Sequence, residues 1–312
     1  MKFKLIYENH GNFGLHIGDY FLYLKYVLQS LGHTADIEHA FCPGETNIIL
    51  EYFNDKFTDK VEKEWTKDTR IIVIATEFLT NGTFNNIYQE EAATRDKADQ
   101  NQHKEFWQMR YNNFVKLLPK FNAIWHVADQ PATAYKHYFS NTFVDYMPHC
   151  FTSDFHTVKH RPDTDKDIDV LFTGTLTKHR KEVLETLKNS GLNVVSSTLF
   201  TAPFHRDDLI SRSKLVLNIK QHPNWLHESV TRLYYHITND SLLITDQCQY
   251  PTDLNPYVIT RSDSWVNTIQ HTLNTGDITQ RAVSLRKKMA CERPPEKYFL
   301  PLLTKTLDAL KA

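Results

Sequence analysis

The sequence predicts an α/β protein built from two doubly wound parallel-sheet domains that face a cleft. A chain of 312 residues with 41% hydrophobic residues is long enough for two hydrophobic cores. Apolar runs of strand length alternate with longer segments of helical periodicity in both halves. A polar, proline-containing run at residues 157–167 has the composition of a linker. We therefore place an N-terminal domain at residues 1–160 and a C-terminal domain at residues 161–312.

The first half begins with a strand, a glycine-bearing turn, an amphipathic helix and a short second strand, in the stretch KLIYENHGNFGLHIGDYFLYLKYVLQSLGHTADIE. Gly32 is the predicted stop of that helix. Further strands are predicted at Asn47–Phe53, Arg70–Thr76 and Ala123–Ala128. Residues 86–118 are predicted to be helical, and the first part of this segment is so polar that it faces solvent or the other domain. These features predict a parallel sheet covered by helices.

The second half repeats this alternation and predicts a second Rossmann-like domain. Its predicted strands are Asp169–Thr173, Asn193–Ser196, Lys214–Ile219, Leu242–Thr245 and Tyr257–Thr260. Its predicted helices are Lys178–Ser190, Glu228–Asn239, Ser264–Leu273, Ile278–Cys291 and Tyr298–Leu310.

Charge and cysteine content exclude several classes of function. Lysine plus arginine (36) nearly balance aspartate plus glutamate (37), so a broad basic field for nucleic acid is absent from the sequence. The four cysteines are far apart and match no zinc spacing, and we predict reduced thiols and no metal site. The N-terminus MKFKLIYENHGNFG predicts a strand and a turn rather than a signal peptide. Since no apolar run approaches the roughly 20 residues of a membrane span, we expect a cytoplasmic protein.

The strand-to-helix connection in DVLFTGTLTKHRKEVLETL is a candidate phosphate site. Ligands of doubly wound sheets bind beyond the carboxyl ends of the strands. Gly174 and Thr175 directly follow a predicted strand, and Lys178 and Arg180 lie at the start of the next helix. Helix N-terminal amides with cations beside them bind phosphate, and the alternative is an ordinary turn with a solvated basic helix end.

A second connection of this kind lies within NIKQHPNWLHESVTRLYY. Glu228 and Ser229 stand at the predicted helix cap, and Arg232 follows one turn later. A carboxylate there can accept the two vicinal hydroxyls of a ribose, while the serine and the cap amides can bind phosphate oxygens. The alternative is that Glu228 or Ser229 is a capping residue alone.

These motifs together resemble the donor domain of GT-B glycosyltransferases. The shared pattern is a strand followed by Gly-Thr, a basic helix start, then SKLVLNI, a polar loop, E-S-x-x-R and LLITD, over about residues 168–260. The nearest variety is the bacterial family-1-like set that includes spore-maturation-protein-like glycosyltransferases. The segment DYMPHCF also resembles the Y-L-P-x-G segment that ends the first domain in this set.

The resemblance implies a role for each matching residue. Gly174 and Thr175 would neighbour the donor diphosphate or phosphate, and Glu228 would bind the nucleotide ribose or the sugar. Four residues would stabilise the departing nucleotide: Lys178, Arg180, Ser229 and Arg232. Asn218 lies in the matching strand SKLVLNI. No metal or other cofactor is required, since the nucleotide sugar is itself a substrate.

The sequence departs from many retaining relatives, which carry a second glutamate two turns along the donor-binding helix. Tyr235 or His236 occupies that position, so a retaining mechanism with the usual pair is not expected. An inverting mechanism needs a base for the acceptor hydroxyl. The candidates in the first domain are Glu77, His16, Asp19 and His126.

The function predicted from these residues is transfer of a sugar from a nucleotide sugar to a hydroxyl acceptor, in bacterial surface-glycan synthesis or in protein or metabolite glycosylation. The expected partners are a nucleotide sugar and a carbohydrate or other hydroxyl-bearing acceptor, without nucleic acid, and peripheral contact with a membrane stays open.

Three alternative functions remain. Gly11, Gly14 and Gly18, with Glu38, would suit an NAD(P)-dependent oxidoreductase, although the spacing is not G-x-G-x-x-G. A non-catalytic two-domain ligand-binding protein and a nucleotide-sugar epimerase are the others.

Overall fold

A computed structural model of the chain describes residues 1–7, 14–80, 82–85, 104–198 and 201–311, with the side chains of residues 14–17 outside this description. The chain divides into two compact units. Unit 1 comprises Met1–Gly14, Leu28–Pro148 and Glu296–Ala312. Unit 2 comprises Leu15–Val27 and His149–Pro295. Each unit contains its own parallel sheet.

Unit 1 contains a six-stranded parallel sheet. Its strands and a short antiparallel hairpin are β1 (Lys2–Ile6), β2 (Thr34–Glu38), β3 (Thr46–Leu50), β4 (Arg70–Ala75), β5 (Leu79–Thr80), β6 (Thr83–Phe84), β7 (Ala123–His126) and β8 (Phe143–Tyr146). The sheet order is β2-β1-β3-β4-β7-β8, and β5 pairs with β6. The central strand β3 is buried along its whole length, as expected for a parallel strand covered on both faces.

The helices in the first half of the chain are α1 (Gly14–Ser30), α2 (Asp55–Glu64), α3 (Lys104–Leu117) and α4 (Asp129–Tyr138). Gly32 follows α1 with φ of +80°, which confirms the predicted helix stop. The side chain of Asn54 caps α2 by accepting a hydrogen bond from the amide of Phe57 at 2.9 Å. Buried aromatic residues fill much of the core of unit 1 and include Phe53, Phe57, Phe84, Phe114, Phe121 and Tyr135.

Unit 2 contains a five-stranded parallel sheet formed by β9 (Ile168–Thr173), β10 (Val194–Ser197), β11 (Ser213–Asn218), β12 (Leu243–Thr245) and β13 (Ile259–Thr260). The order is β10-β9-β11-β12-β13, with every pairing parallel. The chain moves from β9 to one edge and then returns past β9 to β11. The boundary between β9 and β11 is therefore the topological switch point, beside which doubly wound sheets bind ligands.

The remaining helices are α5 (Lys178–Asn189), α6 (Pro203–Ser211), α7 (Val230–Thr238), α8 (Trp265–Asn274), α9 (Ile278–Glu292) and α10 (Pro295–Ala309). The hydroxyl of Thr177 caps α5 by accepting from the amide of Arg180 at 3.4 Å. The side-chain oxygen of Asn239 accepts hydrogen bonds from the amides of Thr157 and Val158, at 2.8 and 3.0 Å. These bonds attach the proline-containing segment to the end of α7 within unit 2.

The prediction of two Rossmann-like doubly wound parallel-sheet domains is confirmed. The predicted strands and the predicted helices of the second half are present with ends shifted by a few residues. Residues 86–103 of the predicted long helix lie outside the described residues, and the rest of that segment contains α3 and a short 3-10 helix at Leu118–Lys120. Helices α2, α4 and α6 and strands β5, β6 and β8 add to the predicted elements. Across the described ranges, no helix combines the length and apolarity that a bilayer span requires.

Candidate functional site

Unit 2 contains a cavity of about 250 Å³ beside the carboxyl ends of β9 and β10 and the first turns of α7. The cavity therefore lies at the carboxyl edge of the sheet, where doubly wound sheets bind ligands, and it adjoins β9, one of the two strands of the switch point. Six serine and threonine residues line the cavity: Thr173, Ser197, Thr198, Thr201, Ser229 and Thr231. The cavity also receives two guanidinium groups and one carboxylate, so its chemistry suits a polar, charged ligand.

Gly174 forms the turn that leaves β9 and borders the cavity. Its φ of +132° lies in the region that glycine tolerates and other residues rarely adopt. Its amide donates a hydrogen bond to the carbonyl of Ser197 at 3.1 Å, which joins the ends of β9 and β10. A Cβ at this position would lie 2.5 Å from Nη2 of Arg232, so the absent side chain also makes room for that guanidinium.

Arg232 places a positive charge at the cavity without a matching negative charge. Its Nε donates to the carbonyl of Thr173 at 2.9 Å, and Nη1 donates to Oδ1 of Asn218 at 2.6 Å. Its guanidinium carbon lies 5.0 Å from the ring centroid of Phe172. Among the described residues it has no carboxylate partner. Burial, together with the nearby Arg180 guanidinium, lowers the pKa of Arg232 well below its ordinary value. A bound anion would relieve both effects.

The N-terminus of α7 adds hydrogen-bond donors to the same wall. Ser229 is the N-cap residue and lines the cavity, but its side chain makes no capping hydrogen bond. The amides of the first helical turn, which starts at Val230, have no acceptor within the helix. A helix N-terminus with a free hydroxyl and a guanidinium beside it is a favourable anion site.

Asp19 from α1 and Arg206 from α6 form an ion pair in the cavity lining. The pair is bidentate, with Nη1 2.7 Å from Oδ2 and Nη2 3.3 Å from Oδ1. The Arg206 guanidinium also lies 4.0 Å from the ring centroid of Tyr235, whose hydroxyl donates to Asp207 at 2.5 Å. Burial raises the pKa of Asp19, and the charge of Arg206 opposes that increase. Arg206 is thus a second cation in the cavity, already neutralised by the protein.

His236 is a buried, neutral side chain in the cavity wall. Its Nε2 lies 3.5 Å from the hydroxyl of Thr173, and among the residues that the structure describes its Nδ1 has no hydrogen-bond partner. Burial, together with the charges of Arg232 and Arg206, lowers the pKa of His236 well below its ordinary value. Tyr235 and His236 both line the cavity.

The other predicted donor residues do not line this cavity. Arg180 is buried and braces two loops, because its Nε donates to the carbonyl of Ile219 at 3.0 Å and Nη1 donates to that of Thr175 at 2.9 Å. Lys178 is exposed at the start of α5. Asn218 lies behind the wall, where it accepts from Arg232 and donates to the hydroxyl of Thr245 at 3.0 Å. Asn218 thus supports Arg232 from behind the wall, and Arg180 joins the loops that follow β9 and β11.

Glu228 is buried outside the cavity lining. One carboxylate oxygen accepts from Nδ2 of Asn255 at 2.8 Å, and the other is 3.4 Å from the amide of Thr252. Burial raises the pKa of Glu228, and these hydrogen bonds lower it. In this structure the carboxylate therefore holds the turn at Thr252–Asn255.

The candidate bases of unit 1 belong to a separate polar network at the carboxyl ends of β4 and β7. Glu77 accepts from Nη1 of Arg110 at 2.8 Å and from Nδ2 of Asn85 at 2.6 Å. His126 accepts at Nδ1 from the amide of Ala128 and lies 3.0 Å at Nε2 from the carbonyl of Glu77. Burial lowers the pKa of His126 to about 4, so the ring is neutral. The side chain of His16 lies outside the described residues.

Glu51, which the sequence predictions did not include, is the most deeply buried carboxyl of this network. It follows β3 and accepts from the hydroxyl of Tyr135 at 2.8 Å and from the amides of Thr76 and Glu77 at 2.8 and 3.0 Å. Burial, reinforced by the negative charge of Glu77, raises the pKa of Glu51 to about 8. The predicted strand Asn47–Phe53 extends past this position, whereas β3 ends at Leu50, so the rule that polar groups follow strands does not select Glu51.

The structure brings Asp19, Gly174, Ser229 and Arg232 together from the predicted set. Arg206 was missed, since no strand precedes it directly and nothing in PFHRDDLIS marks a ligand site. Within the described residues, no group of three or more His, Cys, Asp or Glu side chains is arranged to hold a metal ion.

Comparison with known proteins shows likeness of fold. No family model matches the sequence, and no curated protein matches it significantly. Accessory secretory protein 1,2 and 3 of Streptococcus pneumoniae aligns at 9% identity and TM-score 0.44, over 86% of this chain and 54% of that chain. The trehalose-6-phosphate phosphatase N-terminal domain of Candida albicans aligns at 11% identity and TM-score 0.50, over 92% and 74%. A GtfA/B complex bound to UDP and GlcNAc aligns at 11% identity and TM-score 0.34, over 91% and 60%. The chain thus spans less than two thirds of the first and third of these structures.

Proposed function

We propose that the chain is a GT-B-type glycosyltransferase that transfers a sugar from a nucleotide-sugar donor to a hydroxyl acceptor, and that the cavity of unit 2 binds the phosphate of the donor. The observation that carries this proposal is the guanidinium of Arg232, which borders the cavity and has neutral hydrogen-bond partners. A buried cation without an anion is costly, and it is found where a ligand supplies the missing charge.

The surroundings of Arg232 favour phosphate over other anions. The α7 N-terminus supplies oriented amides, and Ser229 supplies a hydroxyl that makes no capping hydrogen bond. The missing side chain at Gly174 leaves space that the Arg232 guanidinium occupies, so this cation lies against the backbone at the end of β9. In glycosyl transfer this arrangement would stabilise the negative charge that develops on the departing nucleotide.

Asp19 is the candidate proton acceptor that this proposal favours. Of the candidate bases with described side chains, it is the one that lines the cavity. Glu77 is occupied by Arg110 and Asn85, and His126 is buried between two backbone partners. In an inverting transfer, the Asp19 carboxylate would accept the proton of the acceptor hydroxyl as that oxygen attacks the sugar.

Calorimetric titration of the purified chain with nucleoside diphosphates and nucleotide sugars tests the proposal. Arg232→Met should weaken binding about 10- to 100-fold, because it removes a charge-assisted hydrogen bond from a buried site. Arg281→Met, on α9 and outside the cavity lining, is the matched control and should bind like the unmodified chain. Equal affinity of Arg232→Met and its control would contradict the proposal. Nucleotide binding without sugar transfer would favour a ligand-binding protein, and binding of nicotinamide cofactors alone would favour an oxidoreductase.

A further inference from the structure

The ion pair between Asp19 and Arg206 closes part of the cavity with charges supplied by the protein. Both side chains line the cavity, and Nη1 and Nη2 of Arg206 donate to Oδ2 and Oδ1 of Asp19, at 2.7 and 3.3 Å. The geometry is the same fork that a guanidinium offers to a phosphate. An aspartate in this position therefore does what a second anionic group of a ligand would do.

Arg206 is held in place independently of Asp19. Its guanidinium stacks on Tyr235 at 4.0 Å, and its Nε lies 3.3 Å from Oδ1 of Asp207, which also accepts from the Tyr235 hydroxyl. Loss of the Asp19 contact would leave the cation oriented toward the cavity. By contrast, Arg232 makes no ion pair within the described part of the chain, so an anion can bind to it without displacing a carboxylate.

We propose that Asp19 is an internal anion that the second phosphate of a diphosphate ligand displaces from Arg206, so that the cavity distinguishes ligands with two linked phosphates from ligands with one. This inference rests on the proposed function, since it assumes that the first phosphate binds at Arg232. Arg206 and Arg232 line the same cavity of about 250 Å³, which is several times the roughly 30 Å³ that one water takes in the liquid.

The displacement has a chemical consequence for the transfer reaction. Once Arg206 binds phosphate, the Asp19 carboxylate no longer shares its charge with the guanidinium and becomes a stronger proton acceptor. The acceptor oxygen then forms its bond to the anomeric carbon, the bond from that carbon to the phosphate oxygen breaks, and the hydroxyl proton passes to Asp19. The nucleoside diphosphate leaves with the bonding electrons, and its charge is held by Arg206 and Arg232.

Titrations with inorganic pyrophosphate and orthophosphate test the inference on the full chain. Asp19→Asn keeps the shape of the side chain and removes the competing charge, so pyrophosphate should bind about 10-fold more tightly. Orthophosphate, which needs Arg232 alone, should change less than about 3-fold. Asp208→Asn, an exposed position on the same helix as Arg206, is the control and should leave both affinities unchanged.

A second variant keeps the test decisive if Asp19→Asn does not fold. Arg206→Gln should weaken pyrophosphate binding until it matches that of orthophosphate. An unchanged ratio of the two affinities in either variant would overturn the inference. Failure of the proposed function would give another result: Arg232→Met would then leave the affinities for both pyrophosphate and orthophosphate unchanged.

Discussion

Gly174 and Arg232 depend on each other at the scale of single residues. The glycine adopts a φ of +132°, and a Cβ there would come within 2.5 Å of the guanidinium. The guanidinium is fixed by the carbonyl of Thr173 and the side chain of Asn218, so it has little freedom to move aside. A side chain at position 174 would therefore have to break these hydrogen bonds, and it would displace a cation that the proposed phosphate site needs.

Gly174→Ala should reduce the affinity for nucleoside diphosphates at least about 10-fold, because the displaced guanidinium loses a charge-assisted hydrogen bond to the ligand. Gly191→Ala is the matched control: its φ is +88°, but a Cβ there meets no atom within 4 Å. Both variants should lose roughly 1–3 kcal/mol of unfolding free energy from backbone strain. Calorimetry separates the two effects, and equal nucleotide affinity in both variants would contradict the role given to Gly174.

At the scale of elements, charged and titratable side chains lie close together at the carboxyl ends of β3, β4 and β7 in unit 1, and they affect one another's protonation. Glu51 and Glu77 lie close to the single guanidinium of Arg110, whose Nη1 bonds to Glu77 and whose Nη2 donates to the carbonyl of Glu51. The raised pKa of Glu51, about 8, means that this buried carboxyl is largely protonated at neutral pH. The ends of these strands thus hold one negative charge against one positive charge.

Glu51→Gln should change the pH dependence of stability. The folded pKa of about 8 exceeds the ordinary value of 4.5, so the folded chain binds more protons between these values. The contribution of Glu51 is complete below about pH 4.5 and is lost as pH rises toward about 8, by at most about 1.4 kcal/mol per pH unit.

Urea unfolding between pH 5 and 8 measures this effect as the difference between the unmodified chain and the variant. Buried histidines are common to both proteins and cancel in that difference. For Glu51→Gln, this difference in unfolding free energy should fall steadily as pH rises. For the control Glu62→Gln it should stay flat, because Glu62 is an exposed residue of α2 that pairs with Lys116. A flat difference for Glu51→Gln would show that the carboxyl is ionised throughout.

At the scale of the whole molecule, the chain order and the compact units do not coincide. Leu15–Val27 belongs to unit 2 although it precedes most of unit 1, and Glu296–Ala312 belongs to unit 1 although it follows unit 2. Asp19 and Tyr20 therefore reach the cavity from the first helix, while the rest of the described lining comes from residues 173–236.

Hydrogen exchange with and without a nucleoside diphosphate tests this assignment. Ligand at about 100 times its Kd should slow openings that break the site about 100-fold. The slowed amides should lie in residues 15–27 as well as in α6 and α7, whereas β2 and β3 of unit 1 should exchange as before. Protection of α7 without protection of residues 15–27 would contradict the participation of α1 in the site.

Sequence reasoning can predict which positions lie together where one local rule decides the outcome. Gly174, Ser229 and Arg232 follow strands, and the parallel order of the sheet brings their positions together. It could not assign the direction of Glu228, since a carboxylate at a helix start can face either the cavity or the turn at Thr252–Asn255.

Helix α6 was absent from the predictions for a similar physical reason. Its sequence PFHRDDLIS has no clear apolar stripe, and its buried side chains are confined to the last turn. Arg206 was missed with it, because its role depends on Asp19, which is far away in sequence and close through the tertiary fold.

The attachment of the first helix to unit 2 limits how this chain could be recombined. A chimera that exchanged residues 149–295 for those of a relative would bring a new Arg206 and a new Arg232 but would keep the old Asp19. The imported arginine would then meet a carboxylate selected for another partner. A chimera that keeps the contact between Asp19 and Arg206 should therefore exchange residues 15–27 together with residues 149–295.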